Sequence, residues 1–244
     1  HLAALGPPEK RTAIKTLIAV GEIRVEFITQ KNHPATGRIV VASEGNKIFM
    51  GMNLNAADYP QETIIHNGDK TAVALVRAGS RSVFGNFIQT NTSLVSQGLL
   101  GGVLTSAWAL LDRGDRGPKI SSAGTKKIDG KEVHALRVSP KGGSDVEVTM
   151  FFDSQTFHHV RTEYSRTSSA SIGQTIDDSA RQSESRIKMT EEFSNFKDVH
   201  GMSYPSKYKI LYSISGARGT TEVEWTADLA EFAINQNLDA ATFA

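Results

Sequence analysis

Several places in this chain bring together residue types that could do chemistry. His158 and His159 are adjacent imidazoles that could ligate a metal. Glu191-Glu192 and Asp177-Asp178 are carboxylate pairs of the kind that share acid and base work on a glycosidic bond. Ser213-Ile214-Ser215-Gly216 approaches a serine-nucleophile motif. Each fails on geometry. Neighbours on a strand point to opposite faces, so the two imidazoles cannot close on one ion, and no Asp, Glu or His cluster stands at ligand spacing around them. His33, His66, His134 and His200 are scattered over turns and strands. The glutamates diverge like the histidines, and the aspartates fall in a polar loop, whereas a hydrolytic pair must converge. The serine string lacks the first glycine of a nucleophile elbow and ends a strand. There is no Gly-rich phosphate loop and no cysteine, which removes disulfides, thiol catalysis and cysteine-based zinc sites together. The reading is a binding protein with no catalytic residue, no metal and no cofactor.

The strongest signal is an absence of charge. Ser82 to Leu111 reads SVFGNFIQTNTSLVSQGLLGGVLTSAWALL, thirty residues without Asp, Glu, Lys or Arg in a chain that is 22% charged. The period predicts a helix over its second half, Leu94 to Leu111. Val95, Leu99, Val103 and Leu110 would lie along one side, with Leu100, Leu104, Ala107, Trp108 and Leu111 along the next. A helix apolar over most of its circumference must hide in a core, in a bilayer or against a greasy ligand. Its length suits a membrane span, but Ser93, Ser96, Gln97, Thr105 and Ser106 dilute it, and the segments on both sides belong to one strand pattern. The span is therefore set aside, and the stretch reads as the cover of an apolar sheet face. Phe84, Phe87 and Ile88 would add contacts at its rim.

The elements around it are mostly strands. A helix is expected from Pro7-Pro8-Glu9 through Ala13, Ile14, Leu17 and Ile18, after a disordered lead, with Gly21 as its stop. Ile23, Val25 and Phe27 then alternate with charged residues as a half-buried strand. Strands follow at Arg38–Ala42, Lys47–Met52, Glu62–His66 and Thr71–Val76, the last two around the hairpin signal Asn67-Gly68. Beyond the charge-free stretch come Lys119–Ile128, Glu132–Ser139, Asp145–Phe152, Phe157–Tyr164, Glu184–Phe196, Tyr204–Ile214 and Thr220–Ile234. A mobile loop is expected at about 166–182. Spacing near ten residues per strand, roughly, reads as an antiparallel meander. With too few helices to cover it twice, the sheet should curl on itself. The fold class is α+β, mostly antiparallel β. It is a strongly curved open β-barrel of about 11–12 strands with helices capping its apolar concave face. One domain over 1–244 is expected, with a helical lid insertion at about 81–113.

Several strings in this order resemble the LolA/LolB-type lipoprotein carrier superfamily of the bacterial cell envelope. They are Gly37-Arg38-Ile39-Val40-Val41, Ile64-Ile65-His66-Asn67-Gly68-Asp69-Lys70-Thr71, Leu136-Arg137-Val138-Ser139-Pro140-Lys141, Phe152-Asp153-Ser154-Gln155-Thr156, and Asp198-Val199-His200-Gly201-Met202-Ser203-Tyr204-Pro205. The resemblance implies an unclosed barrel whose helix-capped concave side holds acyl chains. It also implies an exported protein, periplasmic or associated with the outer membrane. Where the family has an Arg-Pro step whose Arg ties the barrel to its lid, this chain has Ser43-Glu44, so that latch does not carry over.

Together these give a soluble envelope carrier or binder of acyl chains, either lipid or the lipid tail of a lipoprotein. The expected cavity and lid residues are Phe84, Phe87, Leu94, Leu99, Leu100, Val103, Leu104, Trp108 and Leu111. The expected partners are those acyl chains and a transient membrane or envelope-protein contact. A net charge of +1 gives no basic field for nucleic acid, and the chain is expected to be a monomer. The alternative is a non-catalytic structural or interaction module whose barrel core is filled by its own side chains. The chain opens HLAALGPPEK, without a Met or an apolar leader, and reads as a mature or trimmed sequence.

Overall fold

Short turns set the strands. Asp129-Gly130 and His200-Gly201 both take positive φ, at 50° and 80° and at 56° and 81°. This is the two-residue hairpin geometry whose twist matches the flanking strands. Ile128 faces Lys131 and Val199 faces Met202 directly across these turns. The computed structural model describes residues 1–30, 33–111, 118–168, 185–216 and 219–244.

The strands are β1 (Thr16–Phe27), β2 (Ala35–Glu44), β3 (Lys47–Leu54), β4 (Gln61–His66), β5 (Thr71–Val73), β6 (Lys119–Ile128), β7 (Lys131–Ser139), β8 (Glu147–Asp153), β9 (His159–Ser168), β10 (Ser185–Val199), β11 (Met202–Gly216) and β12 (Gly219–Ile234). They form one twelve-stranded sheet in the order β5-β4-β3-β2-β1-β12-β11-β10-β9-β8-β7-β6. The pairs are antiparallel, and only β1 with β12 joins strands distant in sequence. The meander is thus stitched through its middle by its first and last strands, and β5 and β6 remain edges.

Laid flat, twelve strands spaced about 4.8 Å apart would span roughly 50 Å. Yet Ile64 on β4, Val73 on β5, Val138 on β7 and Val148 on β8 belong to one buried cluster with the middle of the sheet. The sheet therefore curls round a shared core and stays open. Its convex face carries the charges. Glu192 takes Arg161 at 2.6 Å and Lys209 at 3.0 Å, and Lys188 reaches Glu163 at 3.2 Å. Such partly exposed pairs contribute at most about 1 kcal/mol each.

Two helix expectations are corrected. The first helix stops early: α1 (Leu2–Leu5) and α2 (Pro8–Ala13) precede β1, and Leu17 and Ile18 belong to that strand. Leu17 faces Ile234 and Ser43, so cross-strand partners on both sides win over the helical period. Gly21 stops nothing; it sits at a register shift inside β1. The lead is also ordered, because Leu5 is buried and Arg11 donates to the carbonyls of Leu2 (2.8 Å) and Gly6 (2.6 Å).

The second correction concerns the charge-free stretch. It is not one helix over Leu94–Leu111 but α3 (Val83–Thr90), a single turn α4 (Ser93–Ser96), a 3-10 turn at Gly102–Leu104, and irregular chain between. Gly98, Gly101 and Gly102 take φ of 66°, 79° and 48°, a left-handed backbone that breaks a helix and that glycine alone adopts readily. Residues 166–168, placed by the sequence in the mobile loop, extend β9 (His159–Ser168). The rest of that expected loop lies outside the described residues, as do 112–113 of the expected insertion. Among the described residues no helix is long and apolar enough to cross a membrane.

The glycine breaks give a direct test. A Cβ at Gly98 would overlap the Ala107 carbonyl, whereas one at Gly130 meets nothing within 4 Å. Gly130→Ala should cost about 1–2 kcal/mol, the price of a left-handed backbone alone. Gly98→Ala should cost clearly more. Urea denaturation of both variants checks the ranking, and equal losses would contradict it.

Candidate functional site

The stretch from Ser82 to Leu111 lies inside the curled sheet. Phe84, Phe87, Leu94, Leu99, Leu100, Val103, Leu104 and Trp108 are buried, and Leu111 is half-buried and packed against the same core. The structure brings all nine expected residues into one interior. It does so along a folded-back path rather than on two helical faces. Phe84 packs on Trp225 of β12 with ring centroids 5.5 Å apart, and Phe87 meets Tyr212 of β11 at 6.0 Å. At the other end Trp108 stacks on His159 of β9 at 4.6 Å. Val103, Trp108 and Leu111 border a cavity of about 30 Å³ shared with Leu5, Ile14 and Met202. That volume suits about one water, far below the hundreds of Å³ of a ligand pocket.

Irregular chain inside an apolar core must find partners for its N–H and C=O groups. Local turns supply some. Ala109 N–H donates to the Gly98 carbonyl at 3.0 Å, and Leu104 N–H to Gly101 at 3.0 Å. Inward-facing polar side chains of the sheet supply others. Ser106 N–H donates to Ser43 Oγ at 2.7 Å, so this serine is a tie between strand and segment. Gln97 exchanges two bonds with the Lys141 backbone, at 3.0 and 2.8 Å.

Two buried carboxyls hold the remaining points. Glu191 of β10 accepts Gly101 N–H on Oε1 at 2.8 Å, where Tyr208 OH also donates. Its Oε2 lies 2.6 Å from Tyr164 OH, which is also 2.9 Å from the Leu99 carbonyl. One hydroxyl proton cannot serve both acceptors fully. A proton on Glu191 would resolve the competition, with Glu191 donating to Tyr164 and Tyr164 donating onward to Leu99. Burial, opposed by these hydrogen bonds, raises the Glu191 pKa above the ordinary 4.5. At the start of the segment, Ser82 caps α3 by accepting Gly85 N–H at 2.7 Å and donates to Glu62 Oε2. Tyr59 OH donates to the same oxygen at 2.5 Å and accepts from Trp225 Nε1–H at 2.9 Å. Burial raises the pKa of Glu62 as well.

His159 is the third buried titratable group. Burial lowers its pKa from 6.5 to about 3, and its Nε2 meets Thr162 Oγ1 at 2.9 Å. His158 faces the other way and stacks on Phe196 at 4.1 Å. The two histidines thus diverge, as Glu191 and Glu192 do. Among the described residues no group of three His, Asp or Glu is placed to hold a metal.

Sequence reading weighed Glu191 only as half of a diverging pair and missed Glu62. The signal for Glu191 was present in the alternation Met189, Glu191, Phe193, which puts the glutamate on the buried face. Glu62 alternates in the same way with Ile64 and His66.

No family model matches the chain, and no curated protein matches it in sequence. Among solved structures it is similar to a LolA superfamily protein from Nitrosomonas europaea. The identity is 14%, covering 100% of this chain and 96% of that one, with a TM-score of 0.49. A DUF1329 family protein from Desulfovibrio piger matches at 12% identity over 97% of this chain and 92% of that one, TM-score 0.49. A putative outer membrane lipoprotein-sorting protein domain from Vibrio parahaemolyticus matches at 10% identity over 96% and 93%, TM-score 0.48. These are likenesses of architecture alone.

The buried acids predict a pH dependence. A carboxyl whose folded pKa is raised lends full stability below its unfolded pKa, near 4.5, and loses it as pH rises through the folded value. Glu191→Gln keeps an acceptor for Gly101 and Tyr208 and a donor for Tyr164, so it should fold and flatten this alkaline loss. Glu191→Ala orphans those groups and should cost about 3 kcal/mol or more. Thermal melts from pH 5 to 9 check both. An unchanged pH slope in Glu191→Gln would contradict a protonated Glu191.

Proposed function

We propose that this chain is a non-catalytic carrier or binder of acyl chains in the bacterial cell envelope, either lipid or a lipoprotein's lipid tail. On this reading the charge-free segment is a removable filling. It yields to the cargo the space that Leu94, Leu99, Leu100 and Leu104 occupy. One observation carries the proposal: a segment without charge fills the concave side of an open sheet, yet irregular backbone and a few polar contacts hold it there. A permanent core has no need of glycine breaks at 98, 101 and 102. The family resemblance of the sequence strings points the same way.

Magnitudes suit an exchange. About fifteen methylenes entering the interior contribute ~12 kcal/mol at ~0.8 kcal/mol each. Four leucine side chains leaving it forfeit about 6–12 kcal/mol at roughly 1.5–3 kcal/mol each. A near balance lets a carrier both accept and release its cargo. The second reading, a module permanently filled by its own side chains, is favoured by the small cavity of about 30 Å³ beside Trp108.

The chain has no cysteine, so a removable lock can be added cleanly. Ser43→Cys with Ser106→Cys places a disulfide where the segment is tied to β2. The oxidised protein should bind a fluorescent fatty acid at least tenfold more weakly than the reduced one, a difference of about 1.4 kcal/mol. Equal binding in both states would remove the displacement mechanism. Absence of uptake in the reduced and unmodified proteins alike would favour the self-filled module.

A further inference from the structure

The mouth at the far end of β1 holds a groove that the filled interior leaves open. The cavity beside Trp108 lies near Leu17, at the start of β1, whereas this groove borders Phe27 at its end. Its space is about 620 Å³, between residues 76–83 and the ends of β1 and β12, within the usual range for small-molecule sites. Resting on the acyl-carrier reading above, we propose that this groove binds the carboxylate head of a singly charged fatty acid, with Arg81 as its anionic-group receptor.

Aromatic and aliphatic surface makes the walls: Phe27, Tyr59, Val76, Val83, Val223 and Trp225. The polar atoms of Tyr59 and Trp225 are already engaged, since the indole N–H donates to the phenol oxygen and the phenol donates to Glu62. Tyr59, Val223 and Trp225 are buried behind the wall, so the apolar surface open to a chain is that of the half-buried Phe27, Val76 and Val83. The floor continues inward, because Trp225 is also the ring on which Phe84 packs as the charge-free segment begins. Ser82 and Val83 line the groove as well, so it adjoins the start of that segment.

The charge balance at the rim selects the head group. Arg77 is neutralised by an ion pair with Asp58 and also donates Nε–H to the Asp58 carbonyl at 3.1 Å. Arg81 is held at the rim by its Nε–H, which donates to the Val73 carbonyl at 3.0 Å. Among the described residues no carboxylate forms an ion pair with it. The nearby Glu62 is engaged by Tyr59 and Ser82 and biased toward its neutral form by burial. The described lining residues, with Asp58 against Arg77 and Arg81 besides, thus present one net positive charge beside Phe27, Val76 and Val83. That arrangement fits a monoanionic head better than a cationic or uncharged one, and a guanidinium binds a carboxylate well.

The test titrates the full chain with dodecanoate and with dodecanol at low ionic strength, following tryptophan fluorescence. Dodecanoate should bind about tenfold more tightly than the alcohol, a charge-assisted contact being the difference. Arg81→Gln should erase that preference by weakening dodecanoate binding about tenfold relative to the alcohol, and Arg81→Lys, which keeps the charge, should retain most of it. Thermal melts of both variants confirm that they fold. If wild type binds both amphiphiles equally, or Arg81→Gln keeps the full preference, the head-group site is wrong and the carrier reading stands. If wild type binds neither, the carrier reading fails and this site with it.

Discussion

Everything inside this barrel depends on one constraint: buried backbone that is not helical must still hydrogen-bond. A continuous helix would have satisfied its own N–H and C=O groups and asked nothing of the sheet. The three left-handed glycines prevent that, and the sheet must answer. It answers with Glu191 for Gly101, Tyr164 for Leu99 and Ser43 for Ser106. Inward-facing polar residues on an otherwise apolar concave face are thus consequences of the segment's path. A buried acid in the neutral form suits that role, since it both accepts and donates and avoids most of the cost of burying a charge.

That same constraint makes the interior conditional. Contacts between apolar side chains are non-directional and can be exchanged for those of another apolar body at small net cost. Hydrogen bonds to Gly101 and Ser106 have no equivalent partner on an acyl chain, so on the proposed carrier reading they fix where the segment returns when cargo leaves. In this account the polar ties set the resting position and the glycines provide the joints, while the leucines hold the space. The pairing of β1 with β12 gives a scaffold that need not move, because neither strand ends at an open edge.

Much of this was legible in the sequence. Period-2 alternation and Gly-containing turns located the strands, with Lys119–Ile128 placed to the residue. The missing charges marked Ser82–Leu111 as interior. What the pattern could not supply was local backbone choice. Leu17-Ile18-Ala19-Val20 suits a helix or a strand, and only partners far along the chain, Ser43 and Ile234 among them, decide for β1. The apolar spacing of Val95, Leu99 and Val103 is helical, but it describes burial on all sides rather than a helix. Glu62 and Glu191 were passed over because a search for converging acids looks for pairs, and each of these works alone among tyrosines.

Amide hydrogen exchange by mass spectrometry, with and without saturating fatty acid, tests the central claim most directly. The account predicts that peptides spanning Gly98 to Trp108 lose protection when ligand binds, while β1 and β12 keep theirs. Bound ligand with unchanged or increased protection across Gly98 to Trp108 would contradict it, because the segment would then be a fixed part of the core.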